Sequence, residues 1–236
     1  MTVNYSELCK RFIDHYGLLV RSGPFAGMRY VAQSCGSAYI PKLIGCYEEE
    51  LHDLLEQKVF TRHYDTLVNI GCGEGYYAVG VALRLANIRV FAFDIHPDAR
   101  RLCRELATAN AVEERIAIEE ECTPGRLAQI IEQGGKVLII CDIEGGEKTL
   151  LDPQRVPGLQ SCDMIVELHD FNSRDISTAI SQRFSPTHQL TWITHRKRDP
   201  AKYPWTGIFQ GEEELRHAVT EFRVKGMQWL YLEKNG

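Results

Sequence analysis

The chain has 236 residues, of which 44% are hydrophobic and 25% are charged, so it can build a core and wholesale disorder is excluded. Its length allows one domain or two. With 27 Lys and Arg against 32 Asp and Glu, the formal net charge is −5. That balance argues against a protein that coats nucleic acid, which usually carries a strong positive excess.

The 8 cysteines form no C-x-x-C pair, so neither a zinc ribbon nor a thioredoxin-like motif is supported. Several lie in apolar runs, such as Cys141 in VLIICD, and we expect reduced, mostly buried thiols. The N-terminus, MTVNYSELCKRFIDHYG, lacks the apolar region of a signal peptide, and no apolar run approaches the ~20 residues of a membrane span. We therefore expect a cytoplasmic protein.

The first part of the chain is predicted to be helical. Tyr5–His15 has the pattern of a short amphipathic helix, and a long helix is expected from about Tyr47 to Val59. Residues 17–45 between them are mixed and punctuated by glycine. We predict that residues 1–62 form a helical cap on a single compact domain made by residues 63–236.

After Arg62 the sequence alternates between apolar strands and helices. The predicted strands are residues 65–70, 88–94, 115–119, 136–142, 163–170, 190–195 and 227–233. The predicted helices between them are Tyr76–Leu85, Asp98–Asn110, Thr123–Glu132 and a segment near Glu212–Glu221. Strand alternating with helix indicates an α/β fold with a doubly wound, mostly parallel sheet, and continuously apolar strands fit burial on both faces.

The strongest local signal is a glycine loop between the first of these strands and its helix. The run LVNIGCGEGYYAVGVAL contains Gly71, Cys72, Gly73 and Gly75, and the helix begins at Tyr76. Glycine lets the backbone turn sharply and approach a ligand closely, although such glycines can also be purely structural. The G-x-G-x-G spacing lacks the third glycine of a dinucleotide fingerprint and favours a ligand without a pyrophosphate.

An acidic residue supports a nucleoside ligand. Asp94 ends the next predicted strand, about twenty residues after the loop, where a carboxylate can accept hydrogen bonds from both ribose hydroxyls. The alternative is a solvent-facing Asp at a strand end. Loop and acid together indicate a cofactor that contains adenosine.

These motifs resemble a known family. NIGCGEG followed by FAFD resembles motifs one and two of class I S-adenosylmethionine-dependent methyltransferases, and LIGCYEEEL, CDIEGGE and IVELHD narrow the resemblance to the FkbM-type methyltransferases over roughly residues 43–170. The resemblance implies a Rossmann-like seven-strand sheet with an antiparallel C-terminal strand, and S-adenosyl-L-methionine as cofactor. The predicted cofactor-binding residues are Glu48, Asn69, Gly71, Cys72, Gly73, Gly75, Tyr76, Asp94, Ile95, Glu121, Cys122 and Asp142.

Some of these residues depend on the resemblance alone. It implies adenine contacts near Glu121 and Cys122, after the third strand. Tyr47 and Glu48 match a Tyr-Glu pair of the family, so Glu48 is a candidate for the methionine end of the cofactor, the alternative being a solvated helix glutamate. Asn69 departs from the family, which commonly has an acidic residue there, and this leaves recognition of the methionine end open.

The catalytic candidates lie at the ends of the fourth and fifth strands, because open α/β sheets bind ligands beyond the carboxyl ends of their strands. Asp142 ends the fourth strand, and Glu167, His169 and Asp170 end the fifth. His169 is the predicted general base for an alcohol or phenol, with Asp142 as base or orienting group and Glu167 on the same face as His169. Alternatively, Asp142, Glu167 and His169 bind a divalent metal ion that lowers the pKa of an acceptor hydroxyl. A purely structural hydrogen-bonded pair is the third interpretation.

The segment THRKRDPAKYPWTG, residues 194–207, is the only dense basic run. Two interpretations stay open. The run can form a lid over the acceptor that attracts a phosphate or carboxylate, or it can be a solvated surface loop.

The sequence thus predicts an O-methyltransferase that acts on a small hydroxylated acceptor, for which the resemblance implies a sugar, glycan or natural product. No membrane partner is expected. Nucleic acid is disfavoured as a partner because neither a Pro-Pro-aromatic stretch after Asp142 nor a Pro-Cys dipeptide is present. Two alternatives remain: a non-catalytic S-adenosylmethionine-binding protein, which Asn69 keeps open, and a nicotinamide-dependent oxidoreductase, against which the missing third glycine argues.

Overall fold

The computed structural model describes residues 3–171, 175–223 and 227–236. In these residues seven strands form one sheet with the order β3-β2-β1-β4-β5-β7-β6. The strands are β1 (Thr66–Ile70), β2 (Arg89–Phe93), β3 (Ile116–Glu119), β4 (Val137–Cys141), β5 (Asp163–Leu168), β6 (His188–Thr194) and β7 (Gln228–Lys234). Strand β7 is antiparallel to both its neighbours, and the other strands run parallel. The predicted seven-strand α/β sheet with an antiparallel C-terminal strand is confirmed.

Helices flank this sheet. They are α1 (Tyr5–Tyr16), α2 (Tyr39–Ile44), α3 (Glu49–Leu54), α4 (Tyr76–Arg84), α5 (Pro97–Ala109), α6 (Pro124–Gln133), α7 (Glu147–Leu150), α8 (Ile176–Phe184) and α9 (Gly211–Val219). Local sequence sets several of their starts. Pro97 and Pro124 occupy the first turn, where a missing N–H costs nothing, and the hydroxyl of Thr123 accepts a hydrogen bond from the Arg126 N–H at 3.2 Å.

The N-terminal helices differ from the prediction in two places. Helix α3 begins at Glu49 rather than near Tyr47, because Glu48 has a left-handed φ of 49° and tertiary ion pairs hold its side chain. The chain then continues through a π-helical turn, Leu55–Val59. Helix α2 was not predicted. All of its residues are buried, so it has no polar face from which a helical period can be read.

The core is divided between the two faces of the sheet. Leu67 of β1 packs in one cluster with Phe12, Ile44 and Leu51 of the N-terminal helices, whereas Val68 belongs to the cluster on the opposite face with helices α6 and α8. The described part of the N-terminal segment, residues 3–62, therefore shares a hydrophobic core with the sheet, and the boundary at residue 62 stays a proposal. In the described ranges no helix combines the length and apolar character needed to cross a membrane.

Candidate active site

A cavity of about 560 Å³ lies beyond the carboxyl ends of β1, β2 and β4. Strands β1 and β4 are neighbours at the point where the strand order reverses, which is where doubly wound sheets bind ligands. The volume falls in the range of about 300–1,000 Å³ that is usual for small-molecule pockets. Half of the predicted cofactor residues line it, namely Gly71, Asp94, Ile95, Glu121, Cys122 and Asp142.

The other predicted cofactor residues lie outside this lining, namely Glu48, Asn69, Cys72, Gly73, Gly75 and Tyr76. Two of them carry buried polar atoms without a hydrogen-bond partner, the Asn69 Oδ1 and the Tyr76 hydroxyl. The Asn69 amide nitrogen donates to the Ile140 carbonyl at 3.5 Å, which leaves its oxygen free to accept. Unpaired buried polar atoms are uncommon in folded proteins, so the Asn69 Oδ1 is a candidate acceptor for a hydrogen bond from a ligand.

The glycines of the loop make room for the chain itself. A Cβ on Gly71 would lie 1.7 Å from the Asp142 carbonyl oxygen, and one on Gly75 would lie 2.7 Å from the Cys103 sulfur. Both residues also have positive φ, 76° and 98°. At these two positions the steric reason for glycine is therefore contact within the protein, as the structural interpretation of the loop holds.

Asp94 fixes the loop and remains accessible. Its Oδ2 accepts from the Gly73 N–H at 2.8 Å and its Oδ1 from the His96 N–H at 2.9 Å. Each carboxylate oxygen has a further lone pair, and the side chain is partly exposed at the cavity. Next to it, Ile95 presents one of the exposed large apolar side chains of the described chain to the same cavity.

A buried polar cluster, which we call the Glu74 cluster, joins the glycine loop to the N-terminal segment. Glu74 is fully buried and accepts hydrogen bonds from the Tyr30 hydroxyl at 2.7 Å, the Ser34 hydroxyl at 2.9 Å and the Cys35 N–H at 3.1 Å. The Lys42 ammonium pairs with it at 2.5 Å. Burial opposes ionisation of Glu74, but the Lys42 charge and these hydrogen bonds lower its pKa below the usual value.

A second polar cluster, the His169 cluster, consists of the buried Glu147 and His169, the partly exposed Asp142 and the exposed Glu144. His169 is fully buried, and its Nδ1 donates to the Glu147 Oε1 at 2.8 Å. Its Nε2 lies 3.4 Å from the Asp142 Oδ1 and 3.6 Å from the Glu144 Oε2, without a hydrogen-bond partner. Glu147 Oε1 also accepts from the backbone N–H groups of Ile143 and Gly145. These bonds fix the carboxylate, and the carboxylate in turn fixes the orientation of the His169 ring.

The charges of the His169 cluster shift one another's ionisation. Burial works to lower the pKa of His169, but the hydrogen bond to Glu147 and the nearby carboxylates raise it above its ordinary value. Burial raises the pKa of Asp142, and His169 only partly opposes this shift. A carboxyl with a raised pKa that lines a cavity is a candidate for general acid-base chemistry.

Glu167 and Glu48 belong to a third cluster, the Arg223 cluster, completed by Glu221. The Arg223 guanidinium pairs with all three carboxylates. Glu167 lies with its Oε2 3.9 Å from the His169 Nε2, farther than Asp142 and Glu144. Glu48 also accepts from the Tyr77 hydroxyl, and its buried side chain is not the solvated helix glutamate of the alternative interpretation.

Burial raises the pKa of Glu48 to about 7 despite the charge of Arg223. It also raises the pKa of Glu167, to which the Asp142 charge adds. The Arg223 charge offsets only part of the cost of burying the charged form of these two carboxyls, which is the physical reason for the shifts.

The basic run 194–207 is anchored by Arg198. The Arg198 side chain is buried and pairs with Glu50 at 2.6 Å and with Glu221 at 2.5 Å, while its Nε donates to the Cys46 carbonyl at 2.9 Å. His195 adds a contact to Glu50 at 3.2 Å. The Arg198 side chain is therefore occupied by contacts within the protein. It is neither available to attract an anion, as the lid interpretation requires, nor solvated, as the surface-loop interpretation requires.

Sequence analysis assigned no role to Glu147 or Arg223. Glu147 is the last residue of CDIEGGE, and its place four residues after Ile143 puts it at the start of helix α7, where it can cap the preceding turn. The spacing between Ile143 and Glu147 therefore indicates, in the sequence itself, that Glu147 can accept a hydrogen bond from this turn. Arg223 stands in an irregular segment before β7, and no motif marks it.

Comparison with known proteins supports the fold. No known protein-family profile matches the chain. A curated relative, a ribosomal protein L11 methyltransferase of Rhizobium rhizogenes, is 31% identical over 128 residues, which are 54% of this chain. The match spans only 41% of the length of that relative.

Solved structures resemble most or all of the chain at low sequence identity. A human methyltransferase 10 domain-containing protein is similar with a TM-score of 0.51 and 11% identity, over 98% of each chain. A putative O-methyltransferase from Klebsiella pneumoniae has a TM-score of 0.50 and 11% identity, covering 100% of this chain and 92% of its own. An O-methyltransferase from Bacillus cereus, solved in complex with SAH, has a TM-score of 0.50 and 12% identity over 77% of this chain and 80% of its own. The chain therefore has the Rossmann-like fold of class I methyltransferases.

Proposed function

We propose that this protein is an S-adenosyl-L-methionine-dependent methyltransferase. The observation that carries the proposal is the cavity at the reversal of strand order, lined by the end of the glycine loop, Asp94 and Asp142. The shared fold and the partial match to an L11 methyltransferase support it. Membership of the FkbM-type subgroup is also proposed, on the motifs of the sequence.

The residues around the cavity fit the parts of this cofactor. Asp94 has free lone pairs for the ribose hydroxyls, while Ile95 and Cys122 offer apolar surface for an adenine beside Glu121. Outside the cavity lining, the buried and unpaired Asn69 Oδ1 is the acceptor that we assign to the amine of the methionine end. When bound, the cofactor supplies a methyl group activated on a sulfonium.

We infer that the acceptor is a small molecule with a hydroxyl group, bound beside the His169 cluster. Asp142 lines the cavity and takes the acceptor proton, because burial raises the pKa of its carboxyl. The His169 ring lies 3.4 Å from that carboxyl, and Glu147 holds the imidazole in place. Glu167 contributes indirectly, through its ion pair with the Arg223 guanidinium. Alignment of the acceptor is the larger share of the rate gain, and the base adds about 10²- to 10⁴-fold.

Calorimetric titration with S-adenosylmethionine, S-adenosylhomocysteine and NAD tests the cofactor. We expect micromolar binding of the first two and none of NAD. Asp94→Ala should weaken that binding by about 10- to 100-fold, because it removes hydrogen bonds to a charged acceptor. Asp98→Ala is the matched control, since Asp98 is an exposed acid at the start of the adjoining helix and should leave the affinity unchanged.

Unchanged affinity in Asp94→Ala would show that the ribose assignment is wrong, and binding of NAD alone would favour the oxidoreductase. Turnover is then measured as release of S-adenosylhomocysteine with a panel of alcohols, phenols, sugars and the ribosomal protein L11 for which the curated relative is named. Cofactor binding without release on any member of the panel would favour the non-catalytic binding protein.

A further inference from the structure

We propose that Asp142, Glu144 and His169 bind one divalent cation through two carboxylate oxygens and one imidazole nitrogen. These atoms lie within 4.8 Å of one another. Clusters of acidic residues are common without a bound ion, so the site needs support from a second observation. His169 is fully buried, yet its Nε2 has no hydrogen-bond partner and faces the two carboxylates.

The distances suit ligands of a shared ion better than a hydrogen bond. The Nε2 lies 3.4 Å from Asp142 Oδ1 and 3.6 Å from Glu144 Oε2. An N–H···O hydrogen bond usually spans about 2.7–3.2 Å. Two atoms that each lie about 2.0–2.2 Å from the same metal are about 2.8–3.1 Å apart at an octahedral angle and about 3.3–3.6 Å apart at a tetrahedral angle.

The imidazole is prepared for this role by its other nitrogen. Nδ1 donates to Glu147 at 2.8 Å, so the tautomer this bond selects has a lone pair on Nε2. A carboxylate behind a ligating histidine is the usual way in which metal sites fix ring orientation. Glu147 is in turn fixed by the N–H groups of Ile143 and Gly145.

The cation has a path to the site from the cavity. Asp142 and Glu144 both line the cavity, and the Glu144 side chain is 71% exposed. Glu144 has a φ of 53°, a conformation that is rare for a residue with a side chain. The ligand set differs from the one predicted from sequence, because Glu144 takes the place of Glu167, which pairs with Arg223.

One imidazole and two carboxylates suit Mn²⁺ or Zn²⁺ better than Mg²⁺ or Ca²⁺, which prefer oxygen ligands alone. If the proposed methyl transfer is correct, the cation sits where the acceptor enters and would lower the pKa of its hydroxyl. The cation site itself does not depend on that reaction.

The test is calorimetric titration of the full chain, freed of tags and treated with chelator, with MnCl₂ and with MgCl₂, alongside the paramagnetic resonance of bound Mn²⁺. We expect one Mn²⁺ per chain, bound at least about 10-fold more tightly than Mg²⁺. Glu144→Gln should weaken Mn²⁺ binding by at least about 10-fold. Glu120→Gln is the matched control, since Glu120 lines the same cavity and is 73% exposed.

Because Glu144 is exposed, its variant should fold, and circular dichroism of each variant confirms this. The proposal is overturned by no Mn²⁺ binding, by unchanged affinity in Glu144→Gln, or by equal losses in Glu144→Gln and Glu120→Gln. S-adenosylmethionine binding is titrated in parallel. Mn²⁺ binding without cofactor binding would leave this site standing and overturn the proposed function, and the reverse result would overturn the cation site alone.

Discussion

Glu74 and Glu147 are both fully buried carboxylates, but their surroundings differ. In the Glu74 cluster every polar side-chain atom that is buried has a partner. In the His169 cluster, three buried atoms have none, namely Asp142 Oδ1, Glu147 Oε2 and His169 Nε2. A satisfied buried network stabilises a fold, whereas unpaired buried atoms cost free energy unless a ligand pairs with them. The difference marks the first cluster as structural and the second as a candidate site.

The cations of the two clusters also differ. The Lys42 ammonium is buried and lies 2.5 Å from the Glu74 carboxylate, so it depends on Glu74 for its counter-charge. His169 can release a proton and remain buried as a neutral ring. The same loss of a carboxylate charge should therefore cost more in the Glu74 cluster.

The largest effect is expected for Glu74→Gln, which keeps the size of the side chain and removes the charge that faces Lys42. We expect the free energy of unfolding to fall by about 3–5 kcal/mol, the usual cost of leaving a buried charge unpaired. Urea denaturation measures it. Glu56→Gln, which breaks a partly exposed pair with Arg84, should cost at most about 1 kcal/mol. Equal losses in the two variants would mean that the Glu74 cluster does not hold the N-terminal segment to the loop.

An intermediate effect is expected for Glu147→Gln. The amide oxygen can still accept from the Ile143 N–H, and His169 can become neutral, so we expect a loss of about 1–3 kcal/mol in the free energy of unfolding. Urea denaturation in the presence of chelator gives the value. A loss as large as that of Glu74→Gln would contradict the distinction drawn between the two clusters.

The third effect is a pH dependence in the adjoining Arg223 cluster, which appears as a slope rather than as a loss at one pH. Burial raises the pKa of Glu48 to about 7, above the ordinary value for a glutamate of about 4.3. The folded state then favours the protonated carboxyl, so this contribution to stability is present below about pH 4.3 and is lost as the pH rises to about 7.

The ionisation of Glu48 cannot change the free energy of unfolding by more than about 1.4 kcal/mol per pH unit. The glutamine of Glu48→Gln cannot ionise. The variant's free energy of unfolding, relative to that of the unmodified protein, should therefore increase as the pH rises from about 5 to about 7.5. Urea denaturation across that range measures the gain. Glu49→Gln alters the neighbouring, partly exposed carboxyl and should leave the pH profile parallel to that of the unmodified chain. Parallel profiles for Glu48→Gln as well would show that its pKa is not raised.

Much of the cavity was accessible from the sequence because its residues are close to one another along the chain. The apolar run 65–70, the glycines that follow it and Asp94 at the end of the next strand give the order of elements and one wall of the cavity. Side chains that reach their partners across long sequence separations were not accessible. Glu48 was placed at the cofactor, but it lies outside the cavity lining and pairs with Arg223, which carries no motif.

The sequence by itself determined the seven strands, their alternation with helices and the edge of the sheet at which polar residues gather, because period and strand ends are local properties. Tertiary structure decided which of those polar residues are satisfied. It paired Glu74 with Lys42, committed Arg198 to Glu50 and Glu221, and left the His169 Nε2 facing Asp142 and Glu144 without a partner. These outcomes depend on the burial and on the distances that packing alone sets, and the chemistry of the site follows from them.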